Sequence, residues 1–271
     1  GGGGMFNYES SPVVLNCTFV ANRTDGSGGG MYNCTASPIV KNCAFMDNGA
    51  GSGGGGAGGG MLNLEQSNPI VEDCLFWSNG TMHGGGMYNG NSSPSIRNCY
   101  FIDNTGHKGG GGIRNSYSNP LVENCTFAWN SSIAGGGGMS NSASSPNVAG
   151  CLFAHNRSLR NGGAMGNYGQ SDPSIEGCTF TANTSINYPG GIHSSSGSYA
   201  RLSNCILWAN DPGELGGETA TVAYSNIQGG YEGEGNIDED PCFVMPGHYD
   251  ASDGWVDGDY HLLSSSPCID A

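Results

Sequence analysis

Apolar positions in this chain fall in short clusters that recur, not in long stripes. Cys17, Cys43, Cys74, Cys99, Cys125, Cys151, Cys178 and Cys205 follow one another at intervals of 26, 31, 25, 26, 26, 27 and 27 residues. The one long interval holds a glycine-rich insertion at 49–58. Two residues past each cysteine stands Phe19, Phe45, Phe76, Phe101, Phe127, Phe153, Phe180 or Leu207. Five past it stands Asn22, Asn48, Asn79, Asn104, Asn130, Asn156, Asn183 or Asn210, without exception. Three before it comes an aliphatic residue, from Val14 to Leu202, and five before it a proline in every unit but the one with Ala200. A glycine run then leads to Met5, Met31, Met61, Met87, Ile113, Met139, Met165 or Ile192, with asparagine two residues on until Ser194 ends that column.

The unit reads GGGMYN–SP–xVxNC–xFxxN. Glycine runs disfavour helix by about 1 kcal/mol per residue relative to alanine. The apolar clusters alternate in and out with the period of two that strands have. A repeat near 26 residues built from three short strands joined by turns predicts one coil of a parallel β-helix. Val at −3 and Cys at 0 cannot both face inward along one straight strand. Asn, Asp or Gly at −1 resolves this, since those residues tolerate a left-handed corner. The Pro at −5 and the Asn at +5 are expected to mark the second and third corners. Eight such coils, each about 4.8 Å from the next, span on the order of 38 Å. The cysteine column is expected to pack as reduced thiols in a narrow interior, and each Asn column to form a ladder of amide bonds.

Composition narrows the classes. Glycine makes 50 of 271 residues and charged residues only 11%, against roughly 25% charged in an average domain. Leu, Ile, Val and Phe together number 44, too few for a layered aliphatic core. Two lysines and six arginines within a net charge of −15 make no basic stripe of the kind nucleic acid requires. No apolar run approaches the ~20 residues of a membrane helix, so membrane insertion is not expected. The acidic balance fits an exported soluble surface. No basic-then-apolar leader precedes Gly1, and the chain opens within a glycine run, as a mature or excised segment would.

The motifs GGGMYN and SPxVxNCxFxxN, with the tail YSNIQGGYEGEGNIDEDPCFV…GDYHLLSSSPCIDA, resemble the right-handed parallel β-helix repeat proteins of bacterial secreted and surface type. More loosely they are similar to the repeats of chlamydial polymorphic outer-membrane proteins. The expected architecture is all-β: about eight regular coils over residues 1–210, then a degenerate last coil and an acidic C-terminal cap over 211–271. That family holds lyases, adhesins and many members of other kinds, so the resemblance speaks to fold more than to activity. A pectate-lyase-like member would carry clustered Asp/Glu for Ca²⁺ and an Arg or Lys base on one outward strand face. The outward position after the Met column holds Phe6, Tyr32, Leu62, Tyr88, Arg114, Ser140, Gly166 and His193, with no carboxylate.

Two carboxylates, Glu72 and Glu123, flank Arg97 on the outward position two before each cysteine. Their ~10 Å separation would approach that of an inverting glycosidase pair, about 6.5–9.5 Å; a salt-bridge ladder on a solvated face is the simpler reading. Asp250, Asp253, Asp257 and Asp259, interspersed with glycine, could wrap a hard cation such as Ca²⁺ or form a solvated turn; no other cofactor is expected. Cys242 and Cys268 are disulfide candidates in the tail. Phe6, Tyr32 and Tyr88 on one strand face, with Trp77 and Trp129 past the Phe column, are candidate stacking surfaces for a sugar or another chain. Among the N-x-S/T sites, Asn91 lies in a loop and is the expected glycan acceptor. The functional expectation is an extracellular or cell-surface structural or adhesive solenoid, non-enzymatic and self-associating into fibres or part of a larger surface protein. A polysaccharide-binding or polysaccharide-degrading domain is the alternative.

Overall fold

In the computed structural model, which describes residues 1–51, 55–218, 221–250, 254–256 and 258–269, the chain winds as a parallel β-solenoid. Three nine-stranded parallel sheets run its length. The methionine sheet extends from Met5–Tyr8 to Leu215–Gly217, the valine sheet from Val13–Leu15 to Thr221–Ala223, and the phenylalanine sheet from Thr18–Val20 to Asn226–Ile227. Register is residue for residue: Met31 pairs Met61, Val71 pairs Ile96, Phe101 pairs Phe127. The 49–58 insertion is accommodated without a slip, since Phe45 still pairs Phe76.

The sequence pattern predicts three strands per coil, and the structure has four. Two-residue strands from Arg23–Thr24 to Thr184–Ser185 stack as a seven-stranded sheet after the Asn column. Dipeptides such as GT, TG and SS carry no apolar column, so no periodicity announced them. The corner at −1 is where it was expected: Asn16, Asn42, Asp73, Asn98, Asn124 and Asn204 have φ of 51–54°, and Gly150 and Gly177 take the same conformation. The other two corners are displaced. The left-handed residue sits at +4, from Ala21 to Ala209, one before the Asn. It sits at −8 in the remaining corner, as in Thr35, Asn91 and Tyr117, three residues before the proline. The asparagines at +5 point inward instead of turning the chain.

Inside, like stacks on like. The rings from Phe19 to Phe180 lie 4.5–4.9 Å apart and within 7° of parallel. Such pairs add about 0.5–1.5 kcal/mol beyond their burial. Each interior Asn of the +5 column is fully satisfied. Asn104 Oδ1 accepts from Asn79 N and Nδ2 at 3.0 Å, while its Nδ2 donates to Phe76 O and Asn130 Oδ1 at 2.9 Å. The ladder ends on Glu214, whose carboxylate accepts from Asn210 N and Nδ2. A second ladder runs from Asn7 through Asn167 to Ser194 Oγ. A third escaped the sequence reading: the hydroxyls of Ser67, Ser92, Ser118, Ser144, Ser171 and Ser198 each accept a backbone N–H from the preceding coil at 3.0–3.1 Å. The cysteine thiols are free, and those from Cys43 to Cys205 are buried. Cys99 N–H donates to Cys125 Sγ at 3.4 Å, and Cys125 Sγ–H to Glu123 O at 3.2 Å.

Glycine before the methionine column fits tightly, and Ala164 before Met165 is the one alanine in that place. A Cβ on Gly86 would sit 2.7 Å from Gly112 O and 2.9 Å from Phe101 Cδ1.

After Tyr224 the chain closes the last coil, where Ile227 N donates to Ile237 O. It then turns back along the flank. Phe243–Met245 pairs antiparallel with Asp259–Leu262, and His248–Asp250 with Gly254–Val256. The Tyr260 hydroxyl lies 2.6 Å from His155 Nε2, so the tail reaches the sixth coil. Among the described residues no helix is long and apolar enough to cross a membrane.

Candidate functional site

The structure separates the five candidate aromatics. Phe6, Tyr32 and Tyr88 share the outer column of the methionine sheet, with Phe6 52% exposed and edge-on to Tyr32 at 5.2 Å. Trp77 lies elsewhere, exposed on the phenylalanine sheet between Met46 and Ile102. Trp129 occupies a corner and serves the tail. It stacks on His155 at 4.6 Å, His155 meets Tyr260, and Tyr260 stands edge-on to Phe243 at 5.3 Å.

The remaining candidates do not converge. Asp253 and Asp257 lie outside the described residues, and Asp250 is placed only as the end of a strand. The Asp259 carboxylate accepts from His261 N and faces His261 Nδ1 at 2.5 Å, which holds its carboxyl below the usual range. Cys242 and Cys268 are free thiols, which departs from the expected disulfide. Cys242 Sγ–H is directed at Asp240 O, and Cys268 Sγ accepts from Asn226 Nδ2 at 3.0 Å. Glu72 faces Lys41 Nζ at 2.6 Å, and Glu123 faces Arg97 Nε at 2.5 Å. The suspected catalytic pair is thus a column of two ion pairs on an open strand face.

The outer face of the methionine sheet is where polar chemistry concentrates. Its outward column continues from Tyr88 to Arg114, Ser140, Gly166 and His193 on successive coils. The loops that end in glycine runs fold back over this column. They place His83 beside Tyr88 and Arg114, and Tyr188 over His193 at 4.4 Å. Gly109 and Gly110, both at positive φ, let the chain pass against the sheet. A Cβ on Gly109 would stand 2.8 Å from Ala134 O, and one on Gly110 2.7 Å from Arg114 N.

Arg114 Nη1 lies 2.8 Å from His83 Nδ1 and donates to Lys108 O at 2.6 Å. Burial, with Arg114 and then Lys108 nearby, pushes the His83 pKa down to about 4. His83 is therefore neutral at physiological pH and accepts the guanidinium hydrogen. Burial also lowers the pKa of Arg114 and His193 and raises that of Tyr168. Among the described residues three polar atoms here are buried without a hydrogen-bond partner: Arg114 Nε, Tyr168 Oη and His193 Nδ1. Asn161 approaches Tyr168 without meeting hydrogen-bond geometry. The arrangement offers donors and a positive charge, which suits holding an electron-rich group. Sequence reasoning examined this column for carboxylates and so passed over its arginine. The contact with His83 spans 31 residues and depends on a loop reversal whose signal is the glycine run directly after the histidine.

A separate cavity of about 260 Å³ lies between tail and solenoid, lined in part by Thr179, Asn204, Ile206, Tyr224, Tyr260 and Leu262. Among the described residues no cluster of His, Cys, Asp and Glu is disposed to hold a metal ion.

A family model described as a right-handed β-helix region matches residues 1–114 and 105–227. The chain belongs to this β-helix family. The β-helix match covers every regular coil and stops at Ile227, where the last coil closes. Two solved structures of trypsin-treated QnrB1, a plasmid-mediated fluoroquinolone resistance protein, are similar at 12% identity. One covers 86% of this chain and 91% of the other at a TM-score of 0.25, and the second 86% and 88% at 0.21. Superpositions this poor carry no argument about this β-helix. No curated protein matches the chain.

Proposed function

We propose that the protein is a structural or adhesive β-solenoid of extracellular or cell-surface type, working through what its outer faces hold and not through turnover. The observation that supports this most is the shared outer column of Phe6, Tyr32, Tyr88 and Arg114 on the methionine sheet. Coils about 4.8 Å apart set these side chains out over roughly 20 Å, a length suited to an extended polymer. The scaffold beneath is rigid, because its buried asparagines bond one another from coil to coil. Flat aromatic rings at such a surface stack on sugars or on another chain.

The test is retention on a panel of insoluble polysaccharides, comparing the protein with a Phe6→Ala, Tyr32→Ala, Tyr88→Ala triple variant. Retention that falls at least tenfold supports the reading; equal retention, or none by either protein, overturns it. The degrading alternative is checked in the same tubes by assaying new reducing ends and unsaturated uronates. Turnover abolished by Glu72→Gln or Glu123→Gln would replace our reading with the enzymatic one. Self-association, the other half of the structural role, is read by sedimentation velocity over a concentration series.

A further inference from the structure

The geometry points to an oxyanion-binding site at Arg114 on the outer face of the methionine sheet, which takes one carboxylate, sulfate or phosphate group. It deepens the binding role proposed above by naming the chemistry of the ligand. The guanidinium spends Nη1 on His83 and on Lys108 O. Among the described residues its Nε is buried without an acceptor, and the bonds the guanidinium makes run through Nη1, which leaves Nη2. Those two N–H groups form the parallel fork that matches two oxygens of an oxyanion. Among the described residues this half-buried guanidinium has no counter-ion, which is costly, and an anion that reaches the edge holding the buried Nε removes that cost.

The charge around it is unusual for this protein. Among the described residues Arg23, Lys41, Arg97 and Arg201 each face a carboxylate within 3.8 Å, whereas Lys108, Arg114, Arg157 and Arg160 do not. Those four lie within residues 104–171, which hold a single carboxylate, Glu123, already paired with Arg97. Residues 211–271 by contrast carry thirteen carboxylates and no Lys or Arg. Besides His83, the phenols of Tyr88 and Tyr168 lie near Arg114. Tyr168 Oη, buried without a bonded partner, is a second donor on the same face. Gly166 provides the room for it, since a Cβ there would overlap the Tyr168 hydroxyl.

The test follows the arginine Nε–H signals by NMR at constant ionic strength. Acetate, sulfate and phosphate are titrated as free ions, and oligogalacturonate and its neutral methyl ester as pendent groups. A saturable shift of one Nε–H, absent in Arg114→Gln and weakened at least tenfold in Arg114→Lys, is expected. The lysine variant keeps the charge but loses the fork, and unchanged melting of both variants keeps misfolding out of the comparison. Response to free ions alone assigns the site to small oxyanions. Response to the oligomer but not to its ester assigns it to a chain bearing carboxylates. No saturable shift with any probe, or equal binding by Arg114→Gln, overturns the site. Polysaccharide retention that persists with no shift would leave the aromatic column as the binding surface and remove only the anion.

Discussion

Substitution of Asn104 by alanine measures how much of this fold rests on its amide ladders. The side chain makes four bonds: two accepted from Asn79 at 3.0 Å, and two donated, to Phe76 O and Asn130 Oδ1, at 2.9 Å. Alanine strands the Asn79 backbone N–H and one Asn79 amide hydrogen in a wholly buried place and removes the side-chain bond to Phe76 O. Each buried group left unpaired costs about 1–3 kcal/mol, and the small void adds to that. The expected loss is about 2–6 kcal/mol, a large part of the 5–15 kcal/mol typical of a folded domain. Equilibrium urea unfolding reads it, with Asn147→Ala as the comparison. Asn147 is exposed on a strand, where truncation costs about 0.5 kcal/mol or less. A loss under about 1 kcal/mol at Asn104, or one equal to that at Asn147, would refute the claim that the ladder is energetically required.

Three further outcomes follow from the same structure. Burial pushes the Glu214 carboxyl up to about 7 from 4.5. Its contribution is complete below pH ~4.5 and is lost as pH rises to about 7, roughly 3 kcal/mol in all; Glu214→Gln should flatten that part of a stability–pH curve. Gly86→Ala drives a methyl group into Gly112 O and the Phe101 ring and should cost about 1–3 kcal/mol, since the coil at Ala164 already accommodates a methyl group in that column; an unchanged melting temperature would contradict the contact. Thiol labelling of the native protein should modify Cys17, Cys34, Cys242 and Cys268 and spare the seven cysteines buried from Cys43 to Cys205, all eleven reacting only after denaturation. Equal rates at all positions would show that the cysteine column is not packed as described.

The columns of Cys, Phe, Val, Met and Asn were legible because each is set by a neighbour one period away, and a period is what a lone sequence displays. The corner at −1 could be placed because two inward residues three apart force a turn between them. The corners at +4 and −8 were misplaced because the residues there are as varied as Ala21, Trp129 and Tyr117. Their left-handed backbone is imposed by the ladders on either side and not by their own preference. The serine ladder stayed hidden beside a second run of small polar residues at the SP motif. The face around Arg114 was half legible. Its column was written out correctly, but the loop that delivers His83 has no fixed length or composition from coil to coil. The disulfide expected between Cys242 and Cys268 rested on their sharing the tail, and proximity in sequence did not bring their sulfurs together.

The insertion at 49–58 leaves Phe45 paired with Phe76, and this has a consequence for how such a protein can change its size. Each coil answers only to the coils on either side of it. A stretch of 26 residues, such as 113–138, could be excised and Gly112 joined to Met139 with every column closing again on its own kind. Lengthening by duplication obeys the same rule. The reach of the molecule can then be altered in steps of one layer, without renegotiating the interior.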